Sequence, residues 1–187
     1  MIAIIDCGSS KVPDIEKCIT KSGVHYQTFK IESIEDSDFS HYDAFIISGA
    51  PKLFTEINPT EYLTAGKIII ESTKPVLGIC FGHQLISMVF GGNVSLGNED
   101  RSSRTIMLIK EHPLFSGLGK NFQMQEDHCE ETSLPIGFVH VCTSETCEIE
   151  AFSHETKNIF GVQFHPEVSG ENGQKLFDNF VSYYLNK

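Results

Sequence analysis

Three separated stretches of this 187-residue sequence carry residue types that together can do covalent chemistry. The first is Lys74 to Leu85, KPVLGICFGHQL, an apolar run that stops at Cys80 with a glycine two places away on either side. A strand-like run ending in Gly78-Ile79-Cys80-Phe81-Gly82 and followed by a helical pattern has the form of a nucleophile elbow. Such a turn is sharp enough to push its central side chain above the sheet edge. A thiol placed there faces the first unpaired amides of the following helix, whose partial positive charge favours thiolate over thiol. The plainer alternative is one more buried small side chain, since free cysteine is among the most buried residue types.

A thiolate nucleophile needs a group that takes and returns a proton. Of the eight histidines, His165 stands out. It ends a buried-strand pattern in Phe160 to Val168, FGVQFHPEV, where Pro166 stops the strand and Glu167 follows. On an extended chain residues two apart share a side, so Glu167 can accept from one ring nitrogen of His165 and fix its tautomer. A His and a Glu on a solvated loop would give the same letters. The third requirement is a pair of donors for a tetrahedral oxyanion. Ile46 to Pro51, IISGAP, ends another central strand in a turn of small residues, and the Ala50 and Phe81 N–H groups are the natural couple. Alanine serves as well as glycine there if its φ is negative. By itself the turn reads equally well as an ordinary strand-to-loop connection.

The elements that must position these groups follow from the alternation of apolar runs with amphipathic stretches, the rhythm of an α/β sheet. Ile2 to Asp6 reads as a first buried strand, Val12 to Ser22 as a helix stopped by Gly23, and Val24 to Phe29 as a second strand. Asp43 to Ser48 and Pro75 to Ile79 are further central strands, with helices over Thr60 to Ser72 and Gly82 to Phe90. After Gly91-Gly92 the runs shorten: strands are expected at Thr105 to Ile109, Phe138 to Cys142, Cys147 to Phe152 and Ile159 to Phe164. A closing helix over Gly173 to Leu185 carries Leu176, Phe177, Phe180, Val181 and Tyr184 on one face. The expected fold is three-layer α/β, with a mostly parallel central sheet flanked by helices and a smaller mixed or antiparallel sheet in the second half. One domain spanning 1–187 suits the length.

Charge and composition narrow the function. With 25 Asp plus Glu against 14 Lys plus Arg, the net charge of -11 leaves no basic stripe for nucleic acid or an anionic membrane. The start of the chain, MIAIIDCGSS, has no charged n-region leading into a long apolar core, and no run is long enough for a membrane span, so a cytoplasmic protein is expected. The six cysteines form no C-x-x-C pair, which favours reduced thiols over a disulfide framework or a metal site. Cys18, Cys142 and Cys147 are expected in the core, and Cys129 beside the cleft. The acidic groups Glu126, Asp127, Glu130 and Glu131, and Asn98 to Arg101, read as solvated loops.

GICFGHQL, GVQFHPEV and ISGAP, in these positions, are similar to the three signatures of the triad-type (class I) glutamine amidotransferases, and the likeness runs from the first strand to the last helix. It implies a flavodoxin-like sheet and a glutaminase: Cys80 attacks the glutamine side-chain amide, a glutamyl thioester forms, ammonia leaves and water releases glutamate. His165 would move the proton and Glu167 orient it, with Ala50 and Phe81 as the oxyanion amides. Gly49, Gln84 and His128 would contact the substrate, His128 from a loop whose backbone meets the amino-acid end. Length and motif forms most resemble the separate glutaminase subunit of two-subunit GMP synthetases. That implies a partner of the ATP-pyrophosphatase type, which would hold the ATP and Mg; no cofactor is expected in this chain. The alternatives are a glutaminase serving another synthetase, a γ-glutamyl hydrolase acting alone, or an idle binding relative.

Overall fold

Ile2–Asp6 (β1), Ala44–Ile47 (β3), Val76–Ile79 (β4) and Ile159–Val162 (β11) are buried at every residue. That is what continuous apolar runs do when both faces of a parallel sheet are covered. The computed structural model describes residues 1–184. In it these strands lie side by side in the order β2-β1-β3-β4-β11, where β2 is Tyr26–Lys30, and all of these pairs are parallel.

Alternate side chains enter two cores. Ile2, Ile4, Ile46, Leu77 and Ile79 meet Ile15 and Ile19 of Val12–Lys21 (α1) and Leu176, Phe177 and Phe180 of Gly170–Tyr184 (α4). Ala3, Ile5, Phe45, Ile47 and Val76 meet Tyr62 and Ile69 of Thr60–Glu71 (α2) and Leu85 and Ile86 of Phe81–Val89 (α3). This is the expected three-layer arrangement. The Tyr184 side chain and Leu185, both assigned to the closing helix, lie outside the described residues.

The second half corrects several boundaries. Its antiparallel strands do not form a separate body: β10 (Ala151–His154), β9 (Phe138–Thr143), β6 (Ser103–Leu108) and β7 (Asn121–Gln125) continue the main sheet beyond β11. The small second sheet is the pair β5 (Val94–Asp100) and β8 (His128–Thr132). The strand expected from Cys147 begins only at Ala151, because the preceding residues turn, with Ser144 Oγ accepting from the Thr146 and Cys147 amides at 3.2 and 3.0 Å. Cys147 is nonetheless core, as are Cys18 and Cys142.

The acidic stretches are not solvated loops. Asp100, Glu126 and Glu130 are buried, and β8 turns His128, Glu130 and Thr132 inward. Asp100 is held by Arg104 at 2.6 Å and by Ser102. Burial works against its charge, but these donors win and hold its carboxyl down at about 2. Among the described residues no helix is long and apolar enough to cross a membrane.

Candidate active site

Cys80 sits between β4 and α3 with φ 51° and ψ -105°, a conformation that non-glycine residues rarely adopt. Its N–H donates to the Val162 carbonyl at 2.8 Å and its carbonyl accepts from the Gln84 N–H at 3.0 Å, so both sides of the turn are tied down. The flanking glycines are demanded by close approach. A Cβ on Gly78 would come within 2.5 Å of the Gly82 carbonyl oxygen, and one on Gly82 would collide with the Ile47 carbonyl. Strand β4 therefore touches the first turn of α3, and the thiol is what projects.

His165 lies within reach of this thiol, although not at a strand end. β11 stops at Val162, and Glu167 occupies a 3-10 turn, Pro166–Val168, rather than an extended chain. The expected pairing is made all the same: His165 Nδ1 and Glu167 Oε1 are 2.7 Å apart, both side chains buried. The main chain of His165 is pinned by its N–H to the Gln125 carbonyl at 2.8 Å. Burial opposes a charge on the ring, but the charges of Cys80 and Glu167 outweigh it and raise His165 well above the ordinary histidine value.

A cavity of about 430 Å³ opens over these groups, lined by Cys80, His165, Ala50, Phe81, Gln84 and His128 among others. Gly49 packs beneath it, where a Cβ would lie 3.1 Å from His165 Cε1 and 3.7 Å from Cys80 Cβ. Ala50 does not have a positive φ. Among the described residues neither the Ala50 nor the Phe81 N–H has a protein acceptor. For Phe81 this follows from its place as the first residue of α3.

Gln84 gives its amide hydrogens to the Glu130 carbonyl at 3.2 Å and Gln163 Oε1 at 3.3 Å. His128 is on strand β8, not a loop, and its ring is engaged by the Glu130 carbonyl at 3.0 Å and by Glu126 at 3.4 Å. The sequence-predicted residues are thus brought into one site, with Glu167 behind His165 rather than on the cavity wall.

Other residues of the site are not ones that motif spacing singles out. Glu130 accepts the Phe54 and Thr55 amides at 3.0 and 2.7 Å and so anchors the segment after β3, whose Phe54 stacks on Phe81 at 4.0 Å between centroids. Asp127 is gripped by Lys11 and, at 2.6 Å, by Arg101 at the mouth of the cavity. Its burial favours the neutral acid, but Lys11 reverses this and holds the carboxyl below the usual range. Gln163 contacts the sulfur itself. The sequence does carry a signal for it: a polar residue inside an apolar run, two places before His165. Glu130 and Asp127 have no such signal within an acidic stretch. No group of three or more His, Cys, Asp or Glu among the described residues is arranged to hold a metal.

A nucleophile elbow, a His-Glu pair and a strand-end turn around one cavity are shared by several hydrolase and transferase designs. The family model for class-I glutamine amidotransferases matches residues 3–183. The chain belongs to this glutamine amidotransferase family. Among its relatives is the glutamine-hydrolyzing GMP synthase subunit of Pyrococcus abyssi, 37% identical over 185 residues, with 97% of each chain covered. The protein of the same name from Methanocaldococcus jannaschii is 34% identical over 187 residues, covering 96% of this amidotransferase chain and 95% of the relative. Of solved structures, one assigned as a GMP synthase subunit from Thermoplasma acidophilum matches with a TM-score of 0.90 at 26% identity, over 99% and 94% of the two chains. A glutamine amidotransferase from Thermotoga maritima shares the fold, with a TM-score of 0.76 over 99% of this chain and 82% of that one.

Proposed function

We propose that this amidotransferase hydrolyses L-glutamine through Cys80 and delivers the ammonia to a partner synthetase that makes GMP from xanthosine monophosphate. The observation that carries the chemistry is the placement of Cys80, at a positive-φ elbow, in one cavity with the Glu167-bound ring of His165. The thiolate attacks the side-chain amide carbon, and the carbonyl oxygen takes up negative charge between the Ala50 and Phe81 amides. Imidazolium His165 gives its proton to the leaving ammonia, and a thioester to Cys80 remains. His165 then takes a proton from water as it attacks the thioester, and glutamate leaves.

Glu167 holds the ring by Nδ1 throughout, so that the other nitrogen faces the reaction. Gln84, whose N–H groups are spent on Glu130 and Gln163, keeps Oε1 free to accept from the substrate amide. Gly49 gives the turn room against His165, and the β8 backbone at His128 offers polar groups to the amino-acid end of glutamine.

The choice of acceptor is supported by the names of the relatives, which match end to end. On this reading the chain acts as a single glutaminase domain in the cytoplasm with its cysteines reduced. It needs no cofactor of its own, binds neither nucleic acid nor membrane, and leaves ATP and Mg to a partner of the ATP-pyrophosphatase type. A glutamine-directed diazo-ketone, followed by mass mapping, should label Cys80 and leave Cys80→Ala unmodified; a label placed elsewhere would sink the mechanism. Reconstitution with such a partner should aminate xanthosine monophosphate from glutamine, and failure with a partner active on free ammonia would remove the GMP assignment.

A further inference from the structure

Gln163 is fully buried, directly after β11, and two residues before His165. Its Nε2 lies 3.7 Å from Cys80 Sγ, and among the described residues the sulfur is the only acceptor for that group. Which end of an amide faces which neighbour is decided by the network around it. The Glu130 main-chain carbonyl can only accept, so the Gln84 group 3.2 Å from it is the NH2. The same NH2 is 3.3 Å from Gln163, which must present its oxygen there. The other end of Gln163, its NH2, is therefore turned to the sulfur. The chain Glu130 carbonyl, Gln84, Gln163, Cys80 has one consistent direction, and it ends in a donor aimed at the nucleophile.

We propose that Gln163 is a further catalytic residue of this site, donating a hydrogen bond to the Cys80 thiolate and stabilising it over the thiol. The inference rests on Cys80 being the nucleophile. A buried neutral donor, fixed by Gln84 on one side and by its own N–H to the Glu150 carbonyl at 2.8 Å, needs no reorganisation when the sulfur is charged. It also leaves His165 free to act on the substrate nitrogen, because the thiolate is not held by the imidazolium alone. A purely structural amide would instead find a carbonyl for its NH2, since a buried donor on a weak thiol acceptor gains little.

The test is the pH dependence of Cys80 alkylation by iodoacetamide, with the adduct mapped by mass. Gln163→Met keeps an unbranched chain of similar size and removes the donor. The alkylation midpoint should rise by about one pH unit, so that the rate below the midpoint falls about tenfold while the high-pH plateau is unchanged. A merely structural role would lower stability or the plateau and leave the midpoint in place, and that result overturns the proposal. Should Gln163→Met not fold, the unsubstituted protein decides: the ¹⁵N-labelled Gln163 side-chain amide resonances should titrate with the alkylation midpoint, and flat resonances overturn it. Absence of any adduct on Cys80 in the unsubstituted protein would fault the nucleophile assignment instead.

Discussion

His165 is held between Cys80 and Glu167, and that position sets how it titrates. Both neighbours favour imidazolium, and burial alone would disfavour it. Glu167→Gln keeps the shape and the Nδ1 partner but removes one of the charges, so the ring gives up its proton at lower pH. The alkaline limb of the kcat/KM profile for glutamine hydrolysis should move down by about one unit, and kcat/KM at its optimum should fall about a hundredfold. An unmoved limb in a folded variant would show that Glu167 does not control the protonation of His165. At this scale the sequence is most legible where identity and spacing carry the chemistry. Cys80 between two glycines and His165 two places before Glu167 need only a short-range reading. Asp127 and Glu130 act through partners far along the chain, Lys11 for the one and Phe54 and Thr55 for the other, and no local pattern announces such contacts.

The elbow is an agreement among elements, which is why its glycines matter more than its apolar residues. Gly82 lets α3 start against the end of β3, where a Cβ would strike the Ile47 carbonyl. Gly82→Ala must push α3 outward or bend β3 just before the turn that carries Gly49 and Ala50. Such overpacking costs about 2 kcal/mol, which for a chain of this size lowers the melting temperature by about 4–8 °C. Glutaminase activity should fall further than the lost stability explains, since the displaced backbone is that of the Ala50 turn; full activity per folded molecule would contradict the account. The same scale explains which strands can be foreseen. β1, β3, β4 and β11 are apolar except for Asp6 at the end of β1, and they declare themselves. β8 places His128, Glu130 and Thr132 inward, so its alternation is polar, and β5 is mostly exposed. Hydrophobic periodicity has nothing to register in either.

For the whole molecule, the α/β class follows from the order of apolar runs, whereas the joining of the antiparallel wing to the same sheet depends on β10 pairing with β11, a register no local pattern encodes. That wing brings Glu150 beside Glu126 and the His128 ring, in a buried group whose side chains take no part in the proposed proton transfers. Burial first, and then the charge of Glu126, raise the Glu150 carboxyl from 4.5 to about 8. Between those values the folded chain holds a proton that the unfolded chain has released, so stability falls as pH rises through this window and levels off above it. His128 works in the same direction: burial disfavours its charge, Glu126 restores it, and the raised value means that its contribution is also lost on going alkaline. Asp100, held down at about 2, changes only in stronger acid. Burial, however, holds His83 at about 3 and His112 at about 4, so both are neutral in the fold while the unfolded chain still protonates them, and they oppose the trend up to the ordinary histidine value. Glu150→Gln keeps the shape, offers an amide hydrogen to Glu126 and removes the titrating group. In urea unfolding at pH 5.5 and 8 the histidines are common to both proteins and cancel in the comparison, so on going to pH 8 the parent should lose stability relative to the variant, by up to a few kcal/mol. Equal losses in the two proteins would mean that Glu150 is ionised at both pH values and that its charge is balanced within the fold.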